Sequence, residues 1–254
     1  MHMGILIQFL AIIALATYFQ TITGFGMGMI VMGATSGLGL VSVATIATTV
    51  SLLSVINCAV ALPGTLHHID WRTTRLVVYG IVPSVIGGVL LLDYLGSSVS
   101  YIVKLLLGLV IIYSGISIIR KVTPSEQPLS RSSFFLSGFF SGIFSGMFGI
   151  SGPPLVYQFY RQKMDMAKIR YSLIFLFSIT AGIRTLFVAS KGGFSLQILT
   201  LSLSALPVVA LATLVGKRYP PPLRYSTMRG ISCIVLIMIG LSLMVSATQK
   251  LLPT

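Results

Sequence analysis

The sequence predicts an all-α integral membrane protein built from two homologous halves, inverted relative to each other. Each half is a glycine-broken helical hairpin followed by three transmembrane helices. Three observations carry this prediction. The first is composition: 55% of the 254 residues are hydrophobic, 8% are charged and the mean hydropathy is +0.99, against about 25% charged residues in soluble domains. Residues 3–66 contain no Asp, Glu, Lys, Arg or His, a run far longer than the roughly 20 residues that one membrane-crossing helix needs. The second is an internal repeat. Gly24 and Gly149 lie 125 positions apart, Pro83 and Pro207 124 apart, and Gly115-Ile116-Ser117 and Gly240-Leu241-Ser242 125 apart. The third is the placement of charge, taken up below.

The first half covers 1–121. It opens with an apolar stretch, 4–40, broken at Thr23-Gly24-Phe25-Gly26-Met27-Gly28, and continues with apolar segments 42–62, 74–92 and 99–119. Residues 122–132, with Pro124, Ser125, Glu126, Gln127 and Pro128, read as a linker at mid-chain. The second half, 133–254, opens with a broken hairpin at 133–160 and continues with segments 171–190, 195–216 and 230–247. Its break is Phe148-Gly149-Ile150-Ser151-Gly152-Pro153-Pro154. Glycine permits backbone angles other residues avoid, and the two prolines remove two amide donors, so a continuous helix does not pass through. The 28 residues of 133–160 make about 42 Å of helix at 1.5 Å per residue. Two crossings of a ~30 Å core need about 60 Å, so this segment fits a re-entrant pair of half-helices. Gly138, Gly142 and Gly146, flanked by Ser137, Ser141 and Ser145, form a small-residue ridge along the first arm, the kind of surface on which helices pack closely.

The net charge is +13, from seventeen Lys and Arg against Asp70, Asp93, Glu126 and Asp165. In a soluble chain this would suggest nucleic acid. Here the basic residues sit in short loops, so topology explains them and no nucleic-acid partner is expected. If both broken segments return to the side they came from, Arg72, Arg75, Arg120, Lys121, Arg131, Arg161, Lys163, Lys168, Arg170, Lys217, Arg218, Arg224 and Arg229 share one side, leaving Lys104, Lys191 and Lys250 on the other. If each broken segment crosses once, the bias vanishes. The positive-inside rule therefore selects the inverted arrangement, with both termini outside and the linker in the cytoplasm.

Arg184 is the one Lys or Arg well inside an apolar segment. An intramembrane charge is costly and marks function by default; the alternative is that its long side chain snorkels to the nearby interface. Without an acid in the same segments, a guanidinium implies an anion, held by its fork of donors. Half-helix N-termini after Gly24 and Gly149 would add amide donors of the same sign. The candidate substrate-binding residues are Thr23, Gly24, Phe25, Gly26, Ser145, Gly149, Ile150, Ser151, Gly152, Pro153, Thr180 and Arg184. Three acids lie in loops and Asp93 at a segment end. His67 and His68 are a loop pair, and no nucleophile–base set or metal cluster is visible. The chain is thus expected to be neither an enzyme nor a holder of cofactor or metal. Cys58 and Cys233 lie inside apolar segments, as buried small residues do.

Two halves of about 120 residues, one with TGFGMGM near its start and the other with SGMFGISGPPLV, resemble the sulfite exporter TauE/SafE family, also called the toluene-sulfonate uptake permease group. The resemblance spans essentially the whole chain; Ser151 and Pro153-Pro154 depart from the family's glycine-rich pattern. It implies a multi-pass protein of the bacterial cytoplasmic membrane, a secondary transporter that exports sulfite or an organosulfonate. A carrier for another small organic anion and an anion channel are the alternatives; a membrane-embedded assembly or sensor protein is a more distant one. The partners implied are a small anion and the lipid bilayer, and a homo-oligomer is compatible with the sequence.

Overall fold

The structure, a computed structural model, describes residues 3–37, 42–95, 100–119, 130–219, 234, 237, 238 and 241. Among these, nine α-helices follow one another with no strand: α1 (Met3–Thr23), α2 (Met27–Gly37), α3 (Val43–Ala61), α4 (Trp71–Leu95), α5 (Ser100–Ile119), α6 (Arg131–Phe148), α7 (Gly152–Tyr160), α8 (Met166–Ser190) and α9 (Leu196–Arg218). Most of the expected segment 230–247 and of the linker 122–132 lies outside the described residues. Among the described residues five helices, α1, α3, α4, α8 and α9, are long and apolar enough to cross a membrane. The chain is therefore an all-helical, multi-spanning membrane protein.

Local chemistry sets the helix limits. Ser42, Ser130 and Ser195 cap α3, α6 and α9, each accepting a hydrogen bond from the backbone N–H three residues on, a donor the helix itself cannot satisfy. The helices before the two breaks end on left-handed glycines: Gly24 (φ 86°) after α1 and Gly149 (φ 67°) after α6. Their N–H groups donate to the carbonyls of Gln20 (2.7 Å) and Ser145 (2.8 Å), closing the last turn before the chain leaves it. α1 ends 125 positions before α6, α2 begins 125 before α7, and α4 begins 125 before α9.

The second break turns the chain back on itself. The Ser141 hydroxyl in α6 donates to the carbonyl of Ser151, just before α7. Farther along, Gln158 Nε2 of α7 donates to Ser133 Oγ at the start of α6 (2.6 Å), and Phe134 meets Phe159 edge-on at 5.9 Å. α7 thus runs antiparallel to α6. At 9 residues it is about 14 Å long, under half a ~30 Å hydrocarbon core. The first residue of the 11-residue α2 lies against α1, with Met27 N–H donating to Gln20 Oε1 (3.2 Å) and Thr17 Oγ1 to Met27 Sδ (3.6 Å).

The remaining contacts sort the connections by end. Asp70 N–H donates to Ser172 Oγ (3.0 Å), His68 stacks on Tyr171 (5.6 Å), and Lys217 Nζ donates to the carbonyls of Val60 and Pro63 (3.3 Å each). The α3–α4 connection, the start of α8 and the end of α9 therefore share one end of the bundle. The other end joins α4 to α8 by the ion pair Lys191–Asp93 at 2.8 Å.

The closest helix pair is α4 with α6, joined along the small-residue ridge. A Cβ added to Gly138 or Gly146 of α6 would collide with the carbonyl of Val77 or Val85. One on Gly80 or Gly88 of α4 would collide with that of Phe135 or Ile143, and one on Gly142 with the Ser84 hydroxyl. The backbones touch because neither helix has side chains in between, which compensates in dispersion for the absence of a hydrophobic drive between helices in lipid. Gly87, next to Gly88, has nothing within 4 Å of its would-be Cβ. Gly88→Ala should therefore lower the melting temperature in detergent, at an overpacking cost of about 1–3 kcal/mol. Gly87→Ala should leave it unchanged or raise it, since alanine favours helix by roughly 0.5–1 kcal/mol over glycine; equal melting shifts would show that the seam is not a close contact.

Candidate functional site

The two breaks meet. A Cβ on Gly28, in the first turn of α2, would lie 2.7 Å from the Gly149 carbonyl, and one on Gly152, at the start of α7, 2.7 Å from Met29 Cε. Each break also rests on a long helix: a Cβ added to Gly24 would lie 3.0 Å from the Arg170 backbone in α8, and one on Gly149 2.9 Å from the Ala47 carbonyl of α3. Between them lies a cavity of about 340 Å³, including its mouth. It is lined by Gln20, Gly26, Gly28 and Met29 of the first break, Ser145, Gly149, Ile150, Ser151 and Gly152 of the second, Ser54 of α3, and Phe177 and Ala181 of α8.

No charged side chain is among these lining residues. The polarity comes from hydroxyls, one side-chain amide and the backbone. The N–H groups of Gly28, Met29, Ile150, Ser151 and Gly152 have no hydrogen-bond partner among the described residues. Those of Gly28, Met29 and Gly152 are first-turn donors that an α-helix leaves free, and they carry the positive end of the helix dipole. The two half-helices differ in what they offer. In α2 the first amide, Met27 N–H, is taken by Gln20 and the next two are free. In α7 the second and third positions are Pro153 and Pro154, which have no N–H to give.

Gln20 is held by a buried chain of neutral hydrogen bonds. Its Nε2 donates to Asn57 Oδ1 (3.0 Å), and Asn57 Nδ2 donates to Thr21 Oγ1 (3.1 Å) and Thr213 Oγ1 (2.7 Å). Both threonine hydroxyls give their hydrogens to carbonyls one turn back, Thr17 and Val209. They can therefore only accept from Asn57, which fixes its amide orientation and, through it, that of Gln20. The chain ties α1, α3 and α9 to the first amide of α2.

Of the residues predicted from sequence, Gly26, Ser145, Gly149, Ile150, Ser151 and Gly152 line the cavity. Thr180 stands behind it, its hydroxyl 2.7 Å from that of Ser151. Thr23 Oγ1 donates toward the carbonyls of Phe19 and Phe25 and holds the first break from within. Gly24 faces Arg170, Phe25 packs edge-on between Phe19 and Tyr160 at 6.4 Å from each, and Pro153 is the second residue of α7. Arg184 is 1% exposed and is not among the lining residues. Its Nε donates to the Gly146 carbonyl (3.0 Å) and its Nη1 to Thr48 Oγ1 (3.1 Å). Gly146 is in the last turn of α6, where carbonyls lack helical partners, so the guanidinium caps a freed acceptor at the negative end of that helix. Sequence reasoning missed Gln20, Gly28, Met29, Ser54, Phe177 and Ala181 as lining residues. For Gln20 a signal existed: it and Asn57 are among the few amides in the uncharged run.

Arg184→Ala strands the buried Gly146 carbonyl, a loss of about 1–3 kcal/mol. It should lower the melting temperature of the detergent-solubilised protein, with Arg184→Lys intermediate and Thr48→Val milder than either. An unchanged melting temperature in Arg184→Ala would show that the guanidinium does not hold the break.

A family model described as Sulfite exporter TauE/SafE matches residues 9–243. The chain is 51% identical over 237 residues, 93% of each sequence, to a protein of Cupriavidus necator named "Probable sulfite/organosulfonate exporter TauE". No solved structure matches. With a family match over nearly its whole length and a relative at this identity, the chain belongs to the sulfite exporter TauE/SafE family of membrane transporters.

Proposed function

We propose that this multi-pass protein of the cytoplasmic membrane is a secondary carrier that exports a small sulfur-containing oxyanion, sulfite or an organosulfonate, through the cavity between its two breaks. The observation that carries this reading is the convergence of two half-helix N-termini, from opposite halves of the chain, on one cavity with free amides and hydroxyls. Such donors suit a tetrahedral or pyramidal oxyanion, and discontinuous helices are where many carriers hold anionic substrates. The name of the Cupriavidus relative supports the same substrate class. In this reading Gly26, Ser145, Gly149, Ile150, Ser151 and Gly152 contact the anion. Thr23, Gly24, Phe25, Pro153 and Thr180 shape the breaks. Arg184 acts from behind Gly146, offsetting the negative end of α6 beside the anion.

The same reading takes the chain as an inverted repeat of 1–121 and 133–254 with re-entrant hairpins. The common 125-residue offset of helix limits supports it, as does the antiparallel return of α7 along α6. The shared end of residues 62–70, 161–172 and 217–219 then becomes the cytoplasmic one by the positive-inside rule. In a chain lacking Cys58 and Cys233, single cysteines at Thr65 and Lys163 should react with impermeant reagents only in opened cells, and one at Gly192 in intact cells. Labelling of Thr65→Cys from outside would overturn the inverted arrangement.

Transport itself is tested in proteoliposomes with labelled sulfite, thiosulfate, sulfoacetate and acetate. The expected result is saturable flux of the sulfur anions with counterflow, slowed strongly by Gly149→Leu, whose side chain would press on the Ala47 backbone. Unsaturable conductance in planar bilayers would favour the channel alternative. Flux of acetate alone would favour a carrier for other organic anions.

A further inference from the structure

Helix α8 supplies an arginine at each break, and the two are used differently. Arg184, on the far side of the cavity from Arg170, is engaged by Gly146 and Thr48. Arg170, seven residues before the lining residue Phe177, lies on nearly the same helix face, and its backbone and Cγ pack against Gly24 of the first break. Its guanidinium carbon sits 5.2 Å from the centre of the Tyr171 ring. Its Nε is buried with no hydrogen-bond partner, and its guanidinium is held by no acid or carbonyl among the described residues. The acids at this end are otherwise disposed. Asp70 accepts from Thr73 Oγ1 (2.5 Å), and Asp165, the N-cap residue of α8, makes no ion pair among the described residues. Lys168 and Arg170 sit in the first turns of α8, where the helix dipole disfavours cations. A half-buried guanidinium braced on an aromatic face, with a desolvated unpaired donor, is an unmet demand for an oxygen acceptor.

We infer that Arg170 forms a second oxyanion subsite, on the approach to the cavity from the end of the bundle that carries residues 62–70. A sulfonate or sulfite docks there by charge-assisted hydrogen bonds before passing the first break. The inference rests on the anion-carrier reading above and extends it by a residue that does not line the cavity. It also gives Arg170 a role beyond topology: a lysine or arginine that only set orientation would need neither burial nor a stacking partner.

The test measures methanesulfonate flux into proteoliposomes for wild type, Arg170→Met, Arg170→Gln and Arg170→Lys, with inserted amount and melting temperature for each. Methionine keeps the apolar stem on Gly24 and removes the charge; glutamine does so with a polar end. Loss of one charge-assisted interaction should raise KM about 10- to 100-fold in both variants, while kcat and melting temperature change little. Arg170→Lys, retaining a point charge without the fork, should recover most of the affinity. KM within twofold of wild type in Arg170→Met and Arg170→Gln would overturn the subsite. So would equal losses in all three variants with a lowered melting temperature, which would make Arg170 a packing residue. Reduced insertion with unchanged KM would make it a topology signal and overturn the subsite as well. Failure of the wild type to carry either methanesulfonate or sulfite would instead remove the carrier reading on which the subsite rests.

Discussion

A backbone group without a partner in hydrocarbon costs several kcal/mol, which is why membrane helices are normally unbroken. This chain breaks two of them, and the centre of the structure is arranged around the groups those breaks set free. On the carbonyl side part of the demand is met by protein: the Gly24 and Gly149 amides close the last turns on the Gln20 and Ser145 carbonyls, and Arg184 takes the Gly146 carbonyl. On the amide side it is met only in part. Gln20 takes Met27 N–H, two prolines remove two donors from α7, and the donors that remain open are on residues facing the cavity. In the proposed reading, open donors facing the cavity favour an anion without placing a charge in contact with it.

The absence of a charged lining residue has a physical advantage for a carrier. A guanidinium in direct contact with an oxyanion in a low-dielectric cavity binds strongly and releases slowly, because both charges are desolvated together. Amide dipoles and hydroxyls hold the anion more weakly. In the proposed reading, Arg184, one helix turn from Ala181 and donating to Gly146 and Thr48, contributes its field at a distance and stays paired when the anion leaves.

The parts of this design legible in the sequence are those that glycine, proline and charge encode locally. Gly24, Gly149 and Pro153-Pro154 placed the breaks, the 125-residue offset paired the halves, and Gly138, Gly142 and Gly146 announced a close helix contact. The sequence did not say that α4 is the helix in contact, because Gly80, Ser84 and Gly88 face that ridge across more than fifty residues of chain. Nor could it choose between the uses of Arg184, since the deciding acceptor, Gly146, and the second partner, Thr48, are 38 and 136 residues away. Ser54, Phe177 and Ala181 are unremarkable residues in apolar helices; only the tertiary arrangement brings them to the breaks.

The seam between α4 and α6 has no counterpart of equal tightness between α1 and α9. Where α4 and α6 oppose glycines, the positions 125 residues away carry Ile13, Thr17 and Thr21 on α1 and Ala205, Val209 and Thr213 on α9. Two helices in backbone contact cannot shear without losing attraction along their whole length, whereas side-chain layers can exchange rotamers and hydrogen bonds as they slide. Sliding between helices therefore costs more along the backbone contact of α4 with α6 than along the side-chain contact of α1 with α9.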